Sequence, residues 1–319
     1  MPAVPLVRVL RSGLEEAVHL GSVAVADAGG RLVAGAGDPH TVTFARSSMK
    51  PLQASVSFSL AGDDLDHDDV AVMCASHNGE PAHLDRVRAI LQRAGLGVEA
   101  LRTPPAWPLD QVSAAAVDVP RPEYHNCSGK HAGMLLASVR RGFDPGTYPE
   151  PSHPLQSAVL EAVRGAAGEP EAVGVDGCGV PVHALPLSSL ARLYAALATP
   201  GLVAGADRAV EAMRRAPYLV AGRDRLCTAV MEAVPDVVVK VGAEGLVCAG
   251  VLGRGIGIAV KVTDGAARAA EPALVRALAL LDVVPDPEPP PLAPFARPPV
   301  LGGGRPVGEI VADFELRPA

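Results

Sequence analysis

The chain has 319 residues, of which 49% are hydrophobic and 20% are charged, and its formal net charge is −7. This balance is typical of a globular protein, and a negative chain without runs of lysine or arginine lacks the electrostatic footprint of a nucleic-acid-binding surface. No stretch has the roughly 18 apolar residues of a membrane span, and the N-terminus lacks the apolar stretch of a signal peptide. Its five cysteines are better interpreted as thiols than as a disulfide framework, so we expect a cytoplasmic protein.

The first predicted element is a β-hairpin over residues 22–38. Two runs of small and β-branched residues flank Gly29 and Gly30. Such runs on either side of a glycine pair indicate two strands joined by a tight turn.

The pattern then becomes helical. Over 81–95, apolar residues recur at helical spacing and the run ends at a glycine, which predicts a helix. A second helix is predicted over 152–165, with Ser152 as its candidate N-cap and a glycine at its end.

Strands return near the C-terminal end. Residues 236–265 form three runs joined by glycine turns, which predicts an antiparallel meander, and 266–281 is rich in alanine and leucine, as a helix would be. Proline lacks the amide donor that a helix needs, so we expect the proline-rich segment that follows to be a surface loop.

This element order favours an α+β fold. Strands that are distant in sequence most simply join one antiparallel sheet covered by helices, rather than a βαβ winding. We therefore predict a single domain over 1–319. Its parts are two sheet segments at about 20–37 and 236–263, a helical part at about 47–233, and the proline-rich segment at about 284–305.

The stretch FARSSMKPLQ raises the possibility of a serine nucleophile with a lysine base. Residues three apart share a helix face, so Lys50 pairs with Ser47, whereas Ser48 has the wrong spacing. A partly desolvated lysine can lose its proton near neutral pH and act as a base. The alternative is a capping serine beside a solvated lysine, because the motif is common.

Two further clusters favour the catalytic interpretation. Ser76, His77 and Asn78 have the form S-x-N, and Lys240 opens a K-x-G in a predicted strand. Penicillin-recognising serine enzymes carry S-x-x-K, S-x-N and K-[ST]-G in this order. Here Val241 replaces the hydroxyl residue, which argues against a β-lactam substrate and keeps a Ser-Lys hydrolase of related layout.

A separate constellation contains two cysteines. Cys127, Lys130 and His131 lie at a predicted helix start, where the helix dipole lowers a cysteine pKa. Asp176 and Cys178 lie in a glycine-rich loop. These groups could ligate zinc, although the spacing matches no standard zinc finger, and the alternative is that they are small buried residues. The other three cysteines lie in apolar runs that predict core positions, at Cys74, Cys227 and Cys248.

Several stretches together resemble the L-asparaginase II family, the rhizobial-type asparaginases. They are ARSSMKPLQ, CASHNGEP, HNCSGKHAGML, GVDGCGVPVHALPL, AGRDRLCTAVM and KVGAEG, and they span residues 45–245. The resemblance implies a bacterial amidohydrolase that converts L-asparagine to L-aspartate and ammonia, with a fold like that of serine β-lactamases and glutaminases. We expect a homodimer that has a small-molecule substrate and no nucleic-acid or membrane partner.

The resemblance also implies catalytic roles. Ser47 and Lys50 resemble the family's first Ser-Lys pair, with Ser47 as the nucleophile. Ser76 resembles the second serine. Lys240 is the best match for the lysine that pairs with Ser76, and Lys261 is the competing candidate because it too lies in a predicted strand before a turn.

A metal site is implied in the same way. Cys127, Lys130 and Cys178 look like the family's metal-binding set, so we expect a Zn²⁺ ion that is bound but not strictly required. A lysine ligand must be neutral, which makes lysine a rare ligand. His131 is therefore kept as its replacement or as a supporting partner.

Substrate recognition is less defined by the sequence. Asp176 resembles a carboxylate that binds the substrate α-ammonium, and His131 and Arg46 are further candidates for substrate binding. Arg46 and Arg223 are both open as partners of the α-carboxylate. The rival functions are a β-lactamase-like or peptidase-like serine hydrolase, and a non-catalytic protein that binds zinc or an amino acid.

Overall fold

A computed structural model describes the chain in two compact units. The described residues are 2–62, 64–286 and 288–319. The first unit consists of the chain up to Ser48 together with Ala184–Thr199 and Ala229–Ala319. The second unit consists of Met49–His183 and Pro200–Thr228. The single domain over 1–319 stays a prediction.

The strands of the described residues are β1 (Val4–Arg11), β2 (Leu14–Asp27), β3 (Leu32–Ala36), β4 (Val42–Phe44), β5 (Ala172–Val175), β6 (Pro181–Pro186), β7 (Val237–Val241), β8 (Leu246–Val251), β9 (Ile256–Val262), β10 (Pro299–Gly302), β11 (Arg305–Ala312) and β12 (Arg317–Pro318). The helices are α1 (Lys50–Ala61), α2 (His67–Met73), α3 (Pro81–Arg93), α4 (Gln111–Ala115), α5 (Ser128–Arg140), α6 (Pro154–Ala167), α7 (Leu187–Leu197), α8 (Ala206–Arg215), α9 (Pro217–Val220), α10 (Leu226–Ala233), α11 (Ala267–Leu280) and α12 (Ala293–Ala296). No helix in the described part of the chain is both long and apolar enough to cross a membrane.

The first unit contains a large antiparallel sheet. Its strand order is β10-β11-β1-β2-β9-β8-β7, and β3 pairs with β2 and with β12. The predicted hairpin is confirmed as β2 and β3, and the predicted meander is confirmed as β7, β8 and β9. Helices α7 and α11 pack against this sheet. The α+β class and the antiparallel sheet are therefore confirmed.

Four strands of this sheet were not predicted, namely β1, β10, β11 and β12. β1 pairs with β11, and β11 pairs with β10, so the N-terminal and C-terminal parts of the chain meet in the sheet. The expectation of a loop over 284–305 is wrong for β10 and for the short helix α12. Proline is tolerated at the start of an edge strand, where its missing amide is not needed, and β10 is such a strand.

The second unit is helical and is built around α5. Residues Ser128–Ser138 are all buried, and α1, α2, α3 and α6 pack against α5. Gly129 permits a close approach, because a Cβ atom at this position would collide with the carbonyl oxygen of Val72 in α2. The prediction of a helix that starts after Asn126 is confirmed.

The α6 boundaries correct the predicted cap. The residue that caps α6 is His153, whose Nδ1 accepts from the amide of Leu155 at 3.2 Å, and not Ser152. The helix also continues through Gly165 and ends before Gly168, which adopts a φ of 95°. A helix interior tolerates one glycine at a cost of about 1 kcal/mol relative to alanine, so the packing of the surrounding residues prevails here.

Candidate active site

An extended segment after α2 places Ser76 and Asn78 on one face of the backbone. The amides of Ser76 and Asn78 donate to carbonyls of residues 220–221, at 3.0 and 2.8 Å. The intervening amide of His77 donates in the other direction, to the carbonyl of Asn126 at 3.2 Å. In extended backbone, side chains two residues apart point to the same side.

The His77 side chain anchors this segment in the core. Its Nε2 lies 2.9 Å from Ser128 Oγ, and that hydroxyl donates its own hydrogen to the Glu123 carbonyl. His77 Nε2 therefore donates, while Nδ1 accepts from the Gly79 amide. Burial, together with the neighbouring His83, holds the His77 pKa well below its ordinary value. A neutral histidine in this position is structural.

Lys50, the first residue of α1, is 1% exposed. Its Nζ donates to the Ala75 carbonyl at 2.6 Å, to Ser76 Oγ at 2.9 Å and to the Asn126 carbonyl at 3.3 Å. Burial lowers the Lys50 pKa, and the electrostatic interaction with Cys127 opposes this effect. A lysine with a lowered pKa beside a hydroxyl can serve as a general base.

The two serines of the opening motif differ in environment. Ser47 is half-buried and lies in a 3-10 turn over Arg46–Met49. Helix α1 begins only at Lys50, so the expectation that Ser47 and Lys50 share one α-helix is wrong. Ser48 is buried, and its hydroxyl donates to the Ala45 carbonyl at 2.7 Å. The Ser48 hydroxyl therefore has a structural partner.

The two cysteines meet beside Lys50. Cys127 precedes the first turn of α5, and its Sγ donates to Asn126 Oδ1 at 3.2 Å. Cys178 lies in the turn between β5 and β6, where its Sγ lies 3.7 Å from Asp176 Oδ2. The neighbouring Cys178 thiol is the main cause that lowers the Cys127 pKa well below its ordinary value, and Lys50 and Lys130 lower it further. Cys127 and burial raise the Cys178 pKa, so Cys127 is the more acidic of the two thiols.

Lys130 completes the cluster. Its Nζ donates to Cys178 Sγ at 3.0 Å. Burial by itself lowers the Lys130 pKa, but the interactions with Cys178 and Cys127 outweigh burial and raise the pKa overall.

This donor set fits a zinc ion if Lys130 loses its proton. Within 2–62, 64–286 and 288–319, no three histidine, cysteine, aspartate or glutamate side chains come together as metal ligands. A zinc ion would therefore need Lys130 beside Cys127 and Cys178. Two thiolates and a neutral amine are suitable zinc donors in type and number, with a fourth position left for water.

His131 is held by a different partner. The Tyr148 hydroxyl accepts from the Arg102 amide at 2.9 Å and lies 2.6 Å from His131 Nδ1, so it donates its own hydrogen to Nδ1. The hydrogen of the neutral ring is then on Nε2, which is buried and has no partner among the described residues. A nitrogen that carries hydrogen cannot ligate a metal, so this tautomer does not favour His131 as a replacement ligand.

Asp176 lies next to the thiol cluster. One carboxylate oxygen accepts from the Gly177 amide at 2.8 Å, and the other lies 3.7 Å from Cys178 Sγ. The side chain is half-exposed. Asp176 therefore presents a negative charge beside the cluster, in a turn that the glycines keep open.

The predicted lysines of the sheet lie in the first unit. Lys240 in β7 is fully buried, and its Nζ donates to the Val241 carbonyl at 3.0 Å. Lys261 in β9 donates to the carbonyls of Glu244 and Val262. The choice between Lys240 and Lys261 as the partner of Ser76 stays a prediction.

Sequence reasoning treated the Ser-Lys residues and the cysteine residues as two constellations. In the structure Lys50 and Ser76 adjoin the cysteines, because Lys50 Nζ is hydrogen-bonded to Ser76 and interacts electrostatically with Cys127. The Asn126 carbonyl, which contacts both Lys50 and the His77 amide, was not predicted. Every residue has a backbone carbonyl, so the sequence does not indicate which carbonyl accepts a hydrogen bond in the site.

A buried lysine that is hydrogen-bonded to a serine, next to a cysteine whose pKa is lowered, is a combination typical of enzymes that activate a nucleophile. The chain matches the family model described as L-asparaginase II over residues 7–312. It therefore belongs to the L-asparaginase II family. This membership supports an amidohydrolase activity and asparagine hydrolysis in general.

Solved structures are similar to the chain at low identity. A β-lactamase from Mycobacterium bovis is 16% identical with a TM-score of 0.44, over 83% of this chain and 95% of the other. The protein called Mglu is 18% identical with a TM-score of 0.38, over 81% of this chain and 66% of its own. The glutamate form of Mglu is 17% identical with a TM-score of 0.38, over 81% of this chain and 60% of its own. No curated protein matches the chain.

Proposed function

We propose that this protein hydrolyses L-asparagine to L-aspartate and ammonia through a serine acyl-enzyme. The observation that carries the proposal is the buried hydrogen bond of 2.9 Å between Lys50 and Ser76 in a chain of the L-asparaginase II family. Both residues belong to motifs in which a lysine activates a serine. Ser47, three positions before Lys50, is the proposed nucleophile.

The first half of the reaction forms an ester. Lys50 Nζ, in its neutral form, takes the proton of Ser47 while Oγ attacks the side-chain amide carbon of asparagine. The C–N bond then breaks, and the leaving nitrogen receives a proton that passes from Lys50 through Ser76 Oγ. In the second half, water attacks the ester, aspartate leaves and Ser47 regains its proton. Backbone amides, including that of Ser47, are the proposed oxyanion donors. Lys240 is proposed to orient Ser76.

Zinc is proposed as an accessory. Cys127, Lys130 and Cys178 would hold it, and a bound ion would supply positive charge that orients the substrate. The nucleophile does not depend on it, because Ser47 and Lys50 provide one. Chelator-free protein should contain about one zinc per chain by elemental analysis, and Cys178→Ala should lose it. Activity that vanishes with EDTA and returns only with zinc would contradict the accessory role.

Substrate choice is proposed to depend on Asp176 and on the space that the site leaves for the substrate side chain. Asp176 is proposed to bind the α-ammonium of the substrate. We expect asparagine to be preferred over glutamine, because a tight site rejects the extra methylene by about 1–3 kcal/mol. Comparable kcat/KM values for the two amides would contradict this preference.

The test is an ammonia-release assay on purified protein. Ser47→Ala should lose activity, and Lys50→Met should lower kcat by at least about 100-fold. Ser48→Ala is the matched control, because the Ser48 hydroxyl is bonded to the Ala45 carbonyl, and it should keep activity within a few-fold. Normal turnover by Ser47→Ala would refute the nucleophile.

Two rivals are tested in the same assay. Hydrolysis of nitrocefin in place of asparagine would indicate a β-lactamase-like enzyme. Binding of asparagine or zinc without any ammonia release would indicate a non-catalytic module. All five cysteines are free thiols, which supports our proposal of a cytoplasmic location. The homodimer stays a prediction.

A further inference from the structure

A third arginine lies beside the Ser76 segment, in the AGRDRLCTAVM stretch, and sequence analysis assigned it no role. Arg225 is half-buried, and its Nη1 donates to Asn78 Oδ1 at 2.7 Å. Asn78 is on the same face of the extended segment as Ser76, two residues further along. The Arg225 guanidinium is therefore held on the face that carries the Ser76 hydroxyl.

The Asn78 amide has a fixed orientation. Its Nδ2 donates to Glu80 Oε1 at 3.1 Å and to the Arg223 carbonyl at 3.0 Å, so its Oδ1 must face Arg225. Glu80 is buried and is itself held by the Tyr218 hydroxyl. A flipped Asn78 would lose all of these bonds. The network therefore holds the oxygen that positions Arg225.

The Arg225 guanidinium has unused hydrogen-bond donors. An arginine carries five N–H donors, and among the described residues Asn78 is the only partner of the Arg225 side chain. No carboxylate in the described ranges forms an ion pair with Arg225, whereas the neighbouring Arg223 already pairs with Glu80. A half-buried guanidinium without a counter-ion is suited to bind an anionic ligand group in two hydrogen bonds.

The distance along the segment fits an amino-acid amide. Two residues of extended chain advance by about 7 Å. In asparagine, three C–C bonds separate the carboxylate carbon from the amide carbon, so these carbons lie no more than about 4 Å apart. A hydrogen bond to the carboxylate adds about 3 Å. With the amide at Ser76, the α-carboxylate therefore reaches the region beside Asn78.

We propose that Arg225, positioned by Asn78 and Glu80, binds the α-carboxylate of the substrate and makes this site specific for amides that carry one. The inference rests on the proposed asparagine hydrolysis and adds Arg225 to the two arginines, Arg46 and Arg223, that the sequence left open for this role. Arg223 is 60% exposed and already pairs with Glu80, which disfavours it.

A comparison of three amides tests the two charged groups of asparagine independently. The amides are asparagine itself, succinamate and 3-aminopropanamide. Succinamate keeps the carboxylate and lacks the ammonium, whereas 3-aminopropanamide keeps the ammonium and lacks the carboxylate. We expect Arg225→Met to lower kcat/KM on the order of 100-fold for asparagine and succinamate, mainly through KM. For 3-aminopropanamide the change should stay below about 3-fold, because that substrate never made the contact.

A structural role for Arg225 predicts a different pattern. Loss of the Asn78 contact alone would disturb Ser76 and reduce hydrolysis of all three amides by similar factors, and that result overturns the proposal. Arg225→Lys keeps the charge without the two-pronged geometry and should lose an intermediate factor with the same selectivity. It also provides the comparison if Arg225→Met does not fold.

Two further variants complete the experiment. Arg215→Met removes an exposed arginine that pairs with Glu211, and it should leave all three rates unchanged. A carboxylate-selective loss in Arg223→Met, with none in Arg225→Met, would overturn the assignment of Arg225 alone. Wild-type protein that releases ammonia from none of the three amides would refute the proposed function, and the inference with it.

Discussion

At the scale of single residues, spacing rules apply within one element and cannot join two. The sequence singled out both Lys50 and Ser76, yet the hydrogen bond between them links residues 26 apart and came only from the structure. The hydrogen bond between Arg225 and Asn78 likewise links residues 147 apart, and Arg225 had no predicted role. The candidate residues Lys50 and Ser76 were therefore predictable from the sequence, while the contacts between distant residues were set by tertiary packing.

Gly222 offers a test of how tightly the Asn78 network must be packed. It adopts a φ of 117°, and a Cβ atom there would lie 2.5 Å from Glu80 Oε1 and 2.6 Å from Asn78 Nδ2. We expect Gly222→Ala to lower the free energy of unfolding by more than the roughly 1–3 kcal/mol of backbone strain alone, and to reduce kcat/KM. Urea unfolding and the ammonia assay measure the two effects.

Gly201 provides the control for Gly222. Its φ is also positive, at 76°, but no atom lies within 4 Å of a Cβ built there. Gly201→Ala should therefore show the backbone cost without any loss of activity. Equal effects of the two substitutions on stability and turnover would contradict the packing role of Gly222.

At the scale of elements, periodic apolar segments were predicted well and weakly patterned ones were not. The helix α3 and the meander β7–β9 agree with their sequence patterns. β1 and β10 were missed because each contains proline or charge and is a strand only through its pairing with a distant partner. Local propensity is weak in such segments, and tertiary context decides their structure.

The contact between α5 and α2 can be tested by a glycine-to-alanine substitution, which adds one methyl group at the point of contact. A Cβ at Gly129 would collide with the Val72 carbonyl, so Gly129→Ala should force the helices apart, lower the thermal midpoint and displace Cys127 and Lys130. Gly165→Ala in α6 is the control. No atom lies within 4 Å of its Cβ, and we expect it to stabilise the protein by about 0.5–1 kcal/mol. Thermal unfolding of both variants measures the difference, and a stabilising Gly129→Ala would contradict the close contact.

At the scale of the whole molecule, buried histidines make the second unit sensitive to acid. Burial is the main cause that lowers the pKa of His77, His83 and His183. The unfolded chain takes up these protons as the pH falls below about 6.5, while the folded unit does not. Stability is therefore complete above that pH and falls by up to about 1.4 kcal/mol per histidine for each further pH unit.

Hydrogen exchange resolved along the chain measures this effect. Between pH 7.5 and 5, after correction for intrinsic exchange rates, protection should decrease in Met49–His183 before it decreases in the strands of the first unit. The substitution His77→Gln, which removes one titrating group, should flatten the dependence. Protection that falls equally in both units, or that does not change, would contradict the role of the histidines.

The pairing of β1 with β11 sets the order in which the protein can assemble during synthesis. Val9 in β1 lies opposite Ile310 in β11. β1 therefore cannot pair with β11 until the ribosome has added about 300 more residues. At 5–20 residues per second this delay is on the order of 15–60 s. Meanwhile one edge of β1 has unpaired amides and carbonyls that can pair with another nascent chain. Most of the helical unit is complete long before then. Slow translation or a shortage of chaperones should therefore lower the yield of folded protein, because the unpaired edge of β1 is exposed to other chains for longer.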